Sequence, residues 1–342
     1  MNELTNMRRE INEIPAAAAR LLSEGRESYA AAGRALAAKD PAVVVTVARG
    51  SSDHAALFLK YAIELTAGVP VASLGPSLAS IYQAPLKLKT AAAICVSQSG
   101  KSPDIVALGK AAREGGALTL SLVNTIASPL ADIADQPIDI AAGPEKAVAA
   151  TKSYVNSIVA GLAVLAEWTA DASLKAALAK LPEDLEKALA CDWSALMEPM
   201  RDAQSLYVLG RGPAFAIASE AALKCKETCE LHAEAYSSAE VMHGPVSLVE
   251  ARFPVIAFAA RDKAEDSIAK TASGMAEKGA DVFLSSEKGH GPKVLPHVAT
   301  GHPLTDALAL IVPYYSFIET LSRARGFNPD SPVALNKVTE TE

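Results

Sequence analysis

Three groups of residues have the types and spacing that chemistry needs. The first is Ser97-Gln98-Ser99-Gly100-Lys101-Ser102, which follows the apolar run 91–96 and leads into Pro103-Asp104, residues suited to the first turn of a helix. Hydroxyls, a glycine-permitted tight turn and free backbone N–H groups at a helix start make an anion cradle, above all for a phosphate. A plain capping loop is the other reading, because serine is a common helix cap. The second group, Arg49-Gly50-Ser51-Ser52-Asp53, follows the β-branched run 43–47. The third is Glu220, Lys224 and Glu227, whose spacing of i, i+4 and i+7 puts them on one face of a helix. A carboxylate suits proton removal from carbon, yet spacing alone predicts that these three are solvated surface charge. Their helix starts after Arg211-Gly212-Pro213, at the strand end where ligands bind in open parallel sheets. The following segment, expected to be a loop over 233–245, brings His232 and His243 within reach of that crevice. An imidazole can shuttle a hydroxyl proton near neutral pH, although for a lone histidine a structural role is commoner.

The elements that must hold these groups alternate along the chain. Residues 1–38 are expected to be a helical lead-in. After it come strands at 43–47, 69–72, 91–96, 118–123 and 137–140, separated by helices near 53–67, 76–82 and 103–114. Strands separated by helices imply parallel sheets covered on both faces, an α/β class. Residues 144–188 are expected to be mostly helical, with the charged run 182–187 as a surface linker. The order then repeats: a strand at 206–209, a helix at 214–229, a strand at 254–258, a helix at 264–278, a strand at 281–285 and a last helix at 306–325. Aligning Arg49 with Arg211, 162 positions on, also places 91–96 over 253–258. The second copy has Ala259-Ala260-Arg261-Asp262 where the first has its serine-rich loop. A duplicated scaffold has been specialised differently in its halves, and the chemistry is expected where they differ.

Bulk properties bound the function. A chain of 342 residues has room for two cores, and a hydrophobic share of 50% with 5% aromatics points to cores of small aliphatic side chains. A net charge of −7 and no basic stripe argue against nucleic acid. No stretch approaches a membrane span, and the amino terminus lacks a signal-peptide core, so a cytoplasmic protein is expected. Cys95, Cys191, Cys225 and Cys229 form neither a disulfide framework nor a paired metal spacing. Cys225 and Cys229, one helical turn apart, read as small core residues rather than as a metal pair.

The chain resembles the two-domain sugar isomerase (SIS) family, in particular the isomerase half of glucosamine-6-phosphate synthase. The resemblance rests on Ser97-Gln98-Ser99-Gly100, Ala149-Ala150-Thr151-Lys152, Leu209-Gly210-Arg211-Gly212, the run 220–227, His232-Ala233-Glu234-Ala235-Tyr236 and His243-Gly244-Pro245, all in family order. It implies two tandem SIS domains, each a doubly wound, flavodoxin- or Rossmann-like three-layer sandwich, over residues 39–188 and 189–328. Residues 1–38 would lead in, and a tail at 329–342 would dock into the active site. By position, the resemblance implies that Gly50, Ser51, Ser52, Ser97, Gln98, Ser99 and Ser102 hold a sugar phosphate, while backbone at Val148 and Ala149 contacts the sugar. Glu227 matches the base moving a proton between C1 and C2. Lys224 matches a group stabilising charge on the open-chain intermediate. His243 matches a residue assisting ring opening from the partner subunit of a homodimer, and Lys337 a lysine able to form a Schiff base with a ketose. The resemblance implies no metal and no organic cofactor.

Departures from the synthase narrow the expectation. The chain opens Met1-Asn2-Glu3 with no glutaminase segment in view, Arg49 stands where the synthase has Cys, and Met242 stands where it has Lys. Arg-Gly-Ser-Ser-Asp at 49–53, Ala-Ala-Thr-Lys-Ser at 149–153 and Asn328-Pro329-Asp330 look more like stand-alone glucosamine-6-phosphate deaminases. The expected reaction is therefore conversion of an amino-sugar 6-phosphate, foremost glucosamine 6-phosphate, to fructose 6-phosphate and ammonia. A fructosamine-6-phosphate deglycase, another SIS-type isomerase and a non-catalytic phosphosugar sensor are the alternatives.

Overall fold

The computed structural model describes residues 4–332 and Leu335. In chain order its elements are α1 (Asn6–Asn12), α2 (Ile14–Glu24), α3 (Arg26–Lys39), β1 (Val43–Val47), α4 (Gly50–Thr66), β2 (Val71–Ser73), α5 (Ser77–Ser80), β3 (Ala91–Ser97), α6 (Pro103–Glu114), β4 (Leu118–Val123), α7 (Pro129–Asp132) and β5 (Gln136–Asp139). They continue with α8 (Lys152–Trp168), α9 (Ala172–Leu189), α10 (Met197–Arg201), β6 (Ser205–Gly210), α11 (Pro213–Cys229), β7 (His232–Ser237), β8 (Pro254–Ala257), α12 (Glu265–Glu277), β9 (Asp281–Leu284), β10 (Lys293–Val294), α13 (Pro303–Ala309) and α14 (Ile311–Ala324).

The chain divides into two compact units. Among the described residues, the first-sheet unit holds Ile14–Glu145 and Lys152–Ala179, and the second-sheet unit holds those up to Glu13, Lys146–Thr151 and those from Lys180 onward. The first sheet runs β2-β1-β3-β4-β5 and the second β7-β6-β8-β9-β10, every neighbouring pair parallel. Both are the same doubly wound order, so the duplication seen in the sequence is a duplication of topology.

Coverage by helices explains the composition of the central strands. All seven residues of β3 are buried, as are four of five in β1, and neither strand alternates polar with apolar. Val47, Cys95, Ile105, Leu108, Val123 and Leu130 form one core of the first-sheet unit. In the second, Tyr207, Leu209, Val255, Ile268, Met275 and Leu284 do the same. Gly50 and Gly212, again 162 apart, both take positive φ, +54° and +61°, where the strand turns into its helix. This backbone conformation is costly for residues with a Cβ.

Several elements differ from the sequence reading. The lead-in is three helices, and α1 belongs to the second-sheet unit. There the Asp330 carboxylate accepts from the N–H groups of Asn6 and Met7 at 2.7 and 2.8 Å, an anion at the start of α1. The run 182–187 is helix, not linker. Pro182 lies inside α9, which continues because Leu181, Leu185 and Ala188 bury one stripe and Asp184, also buried, pairs with Lys180 and Lys187. Residues 232–237 form β7, an edge strand paired among the described residues with β6 alone and mostly half-buried, so it carries no apolar run to announce it. The last helix is two, α13 and α14, separated at Leu310, just before Pro313, which has no N–H to continue the ladder.

Candidate active site

In the first-sheet unit the switch point of strand order lies between β1 and β3, whose carboxyl ends lead to Arg49-Gly50-Ser51-Ser52 and to 97–102. Ligands of doubly wound sheets bind at that point. The two loops are tied together: the Arg49 guanidinium pairs with the Asp104 carboxylate in the first turn of α6, and Asp104 is 1% exposed. Within the β3–α6 loop, Ser97 Oγ accepts from the Gly100 N–H at 3.1 Å and Ser99 Oγ from the Lys101 N–H at 3.3 Å. Ser102 stands at the N-cap of α6, yet its hydroxyl makes no capping bond. A capping role therefore does not account for it. Ser51, Ser52, Gln98, Ser99 and Ser102 are all half-buried, the exposure of side chains that line a crevice. Burial, partly offset by His54, pushes the Asp53 carboxyl above the ordinary carboxylate range.

The back of this loop is closed by a residue the sequence reading did not mark. Ser128, 3% exposed, lies so close to Gly100 that a Cβ added there would come 2.2 Å from Ser128 Oγ. Its hydroxyl has no hydrogen-bond partner among the described residues, and the Leu130 N–H donates to the Gly100 carbonyl at 3.1 Å. The only sequence signal was Gly100 itself, a glycine required by close approach rather than by the turn alone.

In the second-sheet unit, Glu220, Lys224 and Glu227 are not the solvated triplet that their spacing predicts. Helix α11 is packed on β6 and β7 and against α13 and α14, so the face bearing the triplet turns inward. The side chains of Glu220 and Lys224 are 0% exposed and that of Glu227 22%. Lys224 Nζ lies 3.1 Å from Glu220 Oε1 and 2.5 Å from Glu227 Oε2. Burial alone would lower the lysine pKa, and the two carboxylates more than reverse this, holding the ammonium protonated well above the ordinary range. Glu227 alone of the three keeps exposed surface, so it is the member able to meet a ligand. Tyr315 on α14, fully buried, donates its hydroxyl to Glu220 Oε1 at 3.1 Å. No sequence pattern links residues 220 and 315.

The triplet does not sit where its helix begins. Glu227 is fourteen residues after Pro213, roughly 21 Å along the axis. It therefore lies near the amino end of the sheet, with Lys226 Nζ donating to the Ala233 carbonyl at 3.0 Å. The two histidines do not share one crevice either. His232 opens β7, its Nδ1 2.9 Å from Ser205 Oγ, whereas His243 follows β7 on an exposed turn. The six residues of β7 run between them, a rise of roughly 17 Å. The same strand separates Glu227 from the turn that carries His243.

Val148 and Ala149 belong to the second-sheet unit, with the triplet. Their segment is held by the Glu10 carboxylate, which accepts from the Lys146 and Ala147 N–H groups, and by the Asp330 carbonyl, which accepts from the Val148 N–H at 3.3 Å. Lys337 and the tail beyond it lie outside the described residues. Cys225 and Cys229 are core residues with burial pushing their thiols up to about 12 and about 11. Among the described residues no cluster of His, Cys, Asp and Glu is placed to hold a metal, and no helix is long and apolar enough to cross a membrane.

Comparison with known proteins bears on this arrangement. The SIS domain model matches residues 39–166 and 199–285. The glutamine–fructose-6-phosphate aminotransferase (isomerizing) of Symbiobacterium thermophilum is 34% identical over 320 residues, covering 87% of this chain and 52% of its own length. The chain thus spans about half the length of such curated relatives. A solved structure from Silicibacter pomeroyi DSS-3, provisionally described as a phosphosugar isomerase, is 54% identical with a TM-score of 0.93, covering 96% of this chain and 100% of that one. The glucosamine-6-phosphate deaminase of Thermotoga maritima is 20% identical with a TM-score of 0.80, covering 98% of this chain and 100% of that one, a likeness of fold alone. Overall similarity therefore does not single out the deaminases, contrary to the expectation drawn from the short motifs.

Proposed function

Because this chain belongs to the SIS domain family, we propose that it is a phosphosugar isomerase whose reaction is C1/C2 proton transfer on an amino-sugar 6-phosphate, releasing ammonia. Glucosamine 6-phosphate is the substrate that we assign. One observation carries the reading: a partly exposed carboxylate, Glu227, seated on a lysine with no exposed surface, Lys224, which is itself held by a second buried carboxylate. This is a carboxylate set beside a fixed cation that solvent does not screen, an arrangement suited to taking a proton from carbon.

In this reading Gly50, Ser51, Ser52, Ser97, Gln98, Ser99 and Ser102 hold the phosphate, and backbone at Val148 and Ala149 contacts the sugar. With the ring open to the aldehyde, Glu227 removes the C2 proton and the electron pair moves to oxygen at C1, giving an enolamine. Return of the proton to C1, with a second proton passing from nitrogen to O1, yields the 2-imine of fructose 6-phosphate; water then adds at C2 and the C–N bond breaks, giving fructose 6-phosphate and ammonia. Lys224 acts from beneath Glu227, and Lys337 is the amine available to a ketose carbonyl. His243 is assigned to ring opening in a neighbouring copy, because β7 separates its turn from Glu227 within one chain.

The test is a panel of 6-phospho-amino sugars assayed for ammonia and for C2 proton exchange. Glucosamine 6-phosphate is expected to give both. Turnover only of a fructosamine 6-phosphate would replace the deaminase by a deglycase. Tight binding of phosphosugars with no exchange on any of them would overturn the enzyme reading.

A further inference from the structure

We infer that Tyr315 is a positioning residue for Glu227, acting through Glu220 and Lys224; the inference rests on the proposed role of Glu227 as the base. Tyr315 lies on α14 and the other three on α11, so the contact joins two separate elements of the second-sheet unit. The tyrosine hydroxyl and Lys224 Nζ both meet the same oxygen, Glu220 Oε1, each at 3.1 Å. The ammonium also meets Glu227 Oε2, at 2.5 Å.

An ammonium between two carboxylates in a dry interior leans toward the one whose oxygen is less engaged elsewhere. Glu220 Oε1 divides its accepting capacity between a phenol and the ammonium, which loosens its hold on Lys224 and leaves the cation to Glu227. A cation close to Glu227 favours its ionised form, the form a base needs. Tyr315 is fully buried, so it acts on the substrate through other residues and not by touching it.

Tyr315→Phe removes one oxygen and keeps the ring. With Glu220 Oε1 freed, Lys224 shifts toward Glu220, and Glu227 should titrate about one pH unit higher, the scale of one weakened charge-assisted contact. The acid limb of the kcat/KM profile should move up by the same amount, with kcat on the acid side of that limb falling about tenfold and KM unchanged. In the ligand-free protein, a carbon-13 titration of the glutamate carboxyls, with the Glu227 signal assigned by its loss in Glu227→Gln, should show the same shift. Glu220→Gln should act in the opposite direction, lowering the Glu227 titration because the competing charge is gone, and it serves as the test if Tyr315→Phe does not fold. A folded Tyr315→Phe variant with unchanged Glu227 titration, or a Glu220→Gln variant whose Glu227 titration rises or stays, would overturn the inference. Absence of turnover in the wild-type protein would instead remove the base assignment, and the carboxyl titration would still decide whether Tyr315 tunes Glu227.

Discussion

Replacing Lys224 with methionine isolates the energetics of the buried triplet. The substitution keeps an unbranched side chain of similar length, so little cavity is created, but Glu220 is left in the interior with its ammonium partner removed. Breaking a buried pair in this way costs about 3–5 kcal/mol. For a unit of this size that corresponds to a fall in melting temperature of roughly 6–20 °C. The loss should also depend on pH. Without Lys224, burial pushes the Glu220 carboxyl above its unfolded value, and a group whose folded pKa is raised stabilises the fold only while protonated. The deficit relative to wild type should therefore be smallest near pH 4–5 and grow as pH rises through the new folded pKa of Glu220. Glu220→Gln/Lys224→Met removes both charges and should recover most of the loss. Thermal unfolding at pH 5 and pH 8 for the wild type and the two variants reads all of this. A pH-independent loss under about 1 kcal/mol would refute the reasoning, since that is the range expected of exposed i, i+4 pairs.

Two further substitutions test how the site is held. Gly100→Ala should cost about 1–3 kcal/mol by urea unfolding because its Cβ meets Ser128 Oγ, and Gly100→Ala/Ser128→Gly, which clears the obstructing atoms, should recover part of that loss. An equal loss in single and double variants would show that the contact does not matter. Asp330→Ala should cost about 1 kcal/mol and speed amide exchange at Asn6 and Met7, whose N–H groups its carboxylate accepts, with no change in the exchange of α6. Unchanged exchange at both amides would remove Asp330 as the anchor of α1.

Where the pattern is periodic and apolar, the sequence reading matches the fold. Strand β4 and helix α6 fall on the expected residues, and the offset of 162 that superposes Arg49 on Arg211 also superposes Gly50 on Gly212, both at positive φ. What was missed has specific causes. Strand β7 was read as a loop because an edge strand of half-buried residues needs no apolar alternation. The triplet was read as surface charge because i, i+4, i+7 spacing fixes a helical face but not what packs on it. Here α14, about 90 residues further along the chain, covers that face, and Tyr315 comes with it. The rule that ligands gather at the carboxyl ends of strands located the Ser97–Ser102 loop. It misplaced Glu227, which sits at the other end of its helix, and it grouped two histidines that β7 holds apart. Short motifs favoured the deaminases, while overall similarity favoured no single activity, because a shared fold carries many substrates.

The central claim is that Glu227 is the base, and solvent deuterium exchange at C2 of a 6-phospho-amino sugar tests it most directly. Nuclear magnetic resonance of glucosamine 6-phosphate in deuterium oxide, with wild-type protein and with Glu227→Gln, should show exchange with the first and at least a hundredfold slower exchange with the second, the scale of removing a general base. Binding of inorganic phosphate should be the same in both. Exchange at the wild-type rate in folded Glu227→Gln would contradict the account.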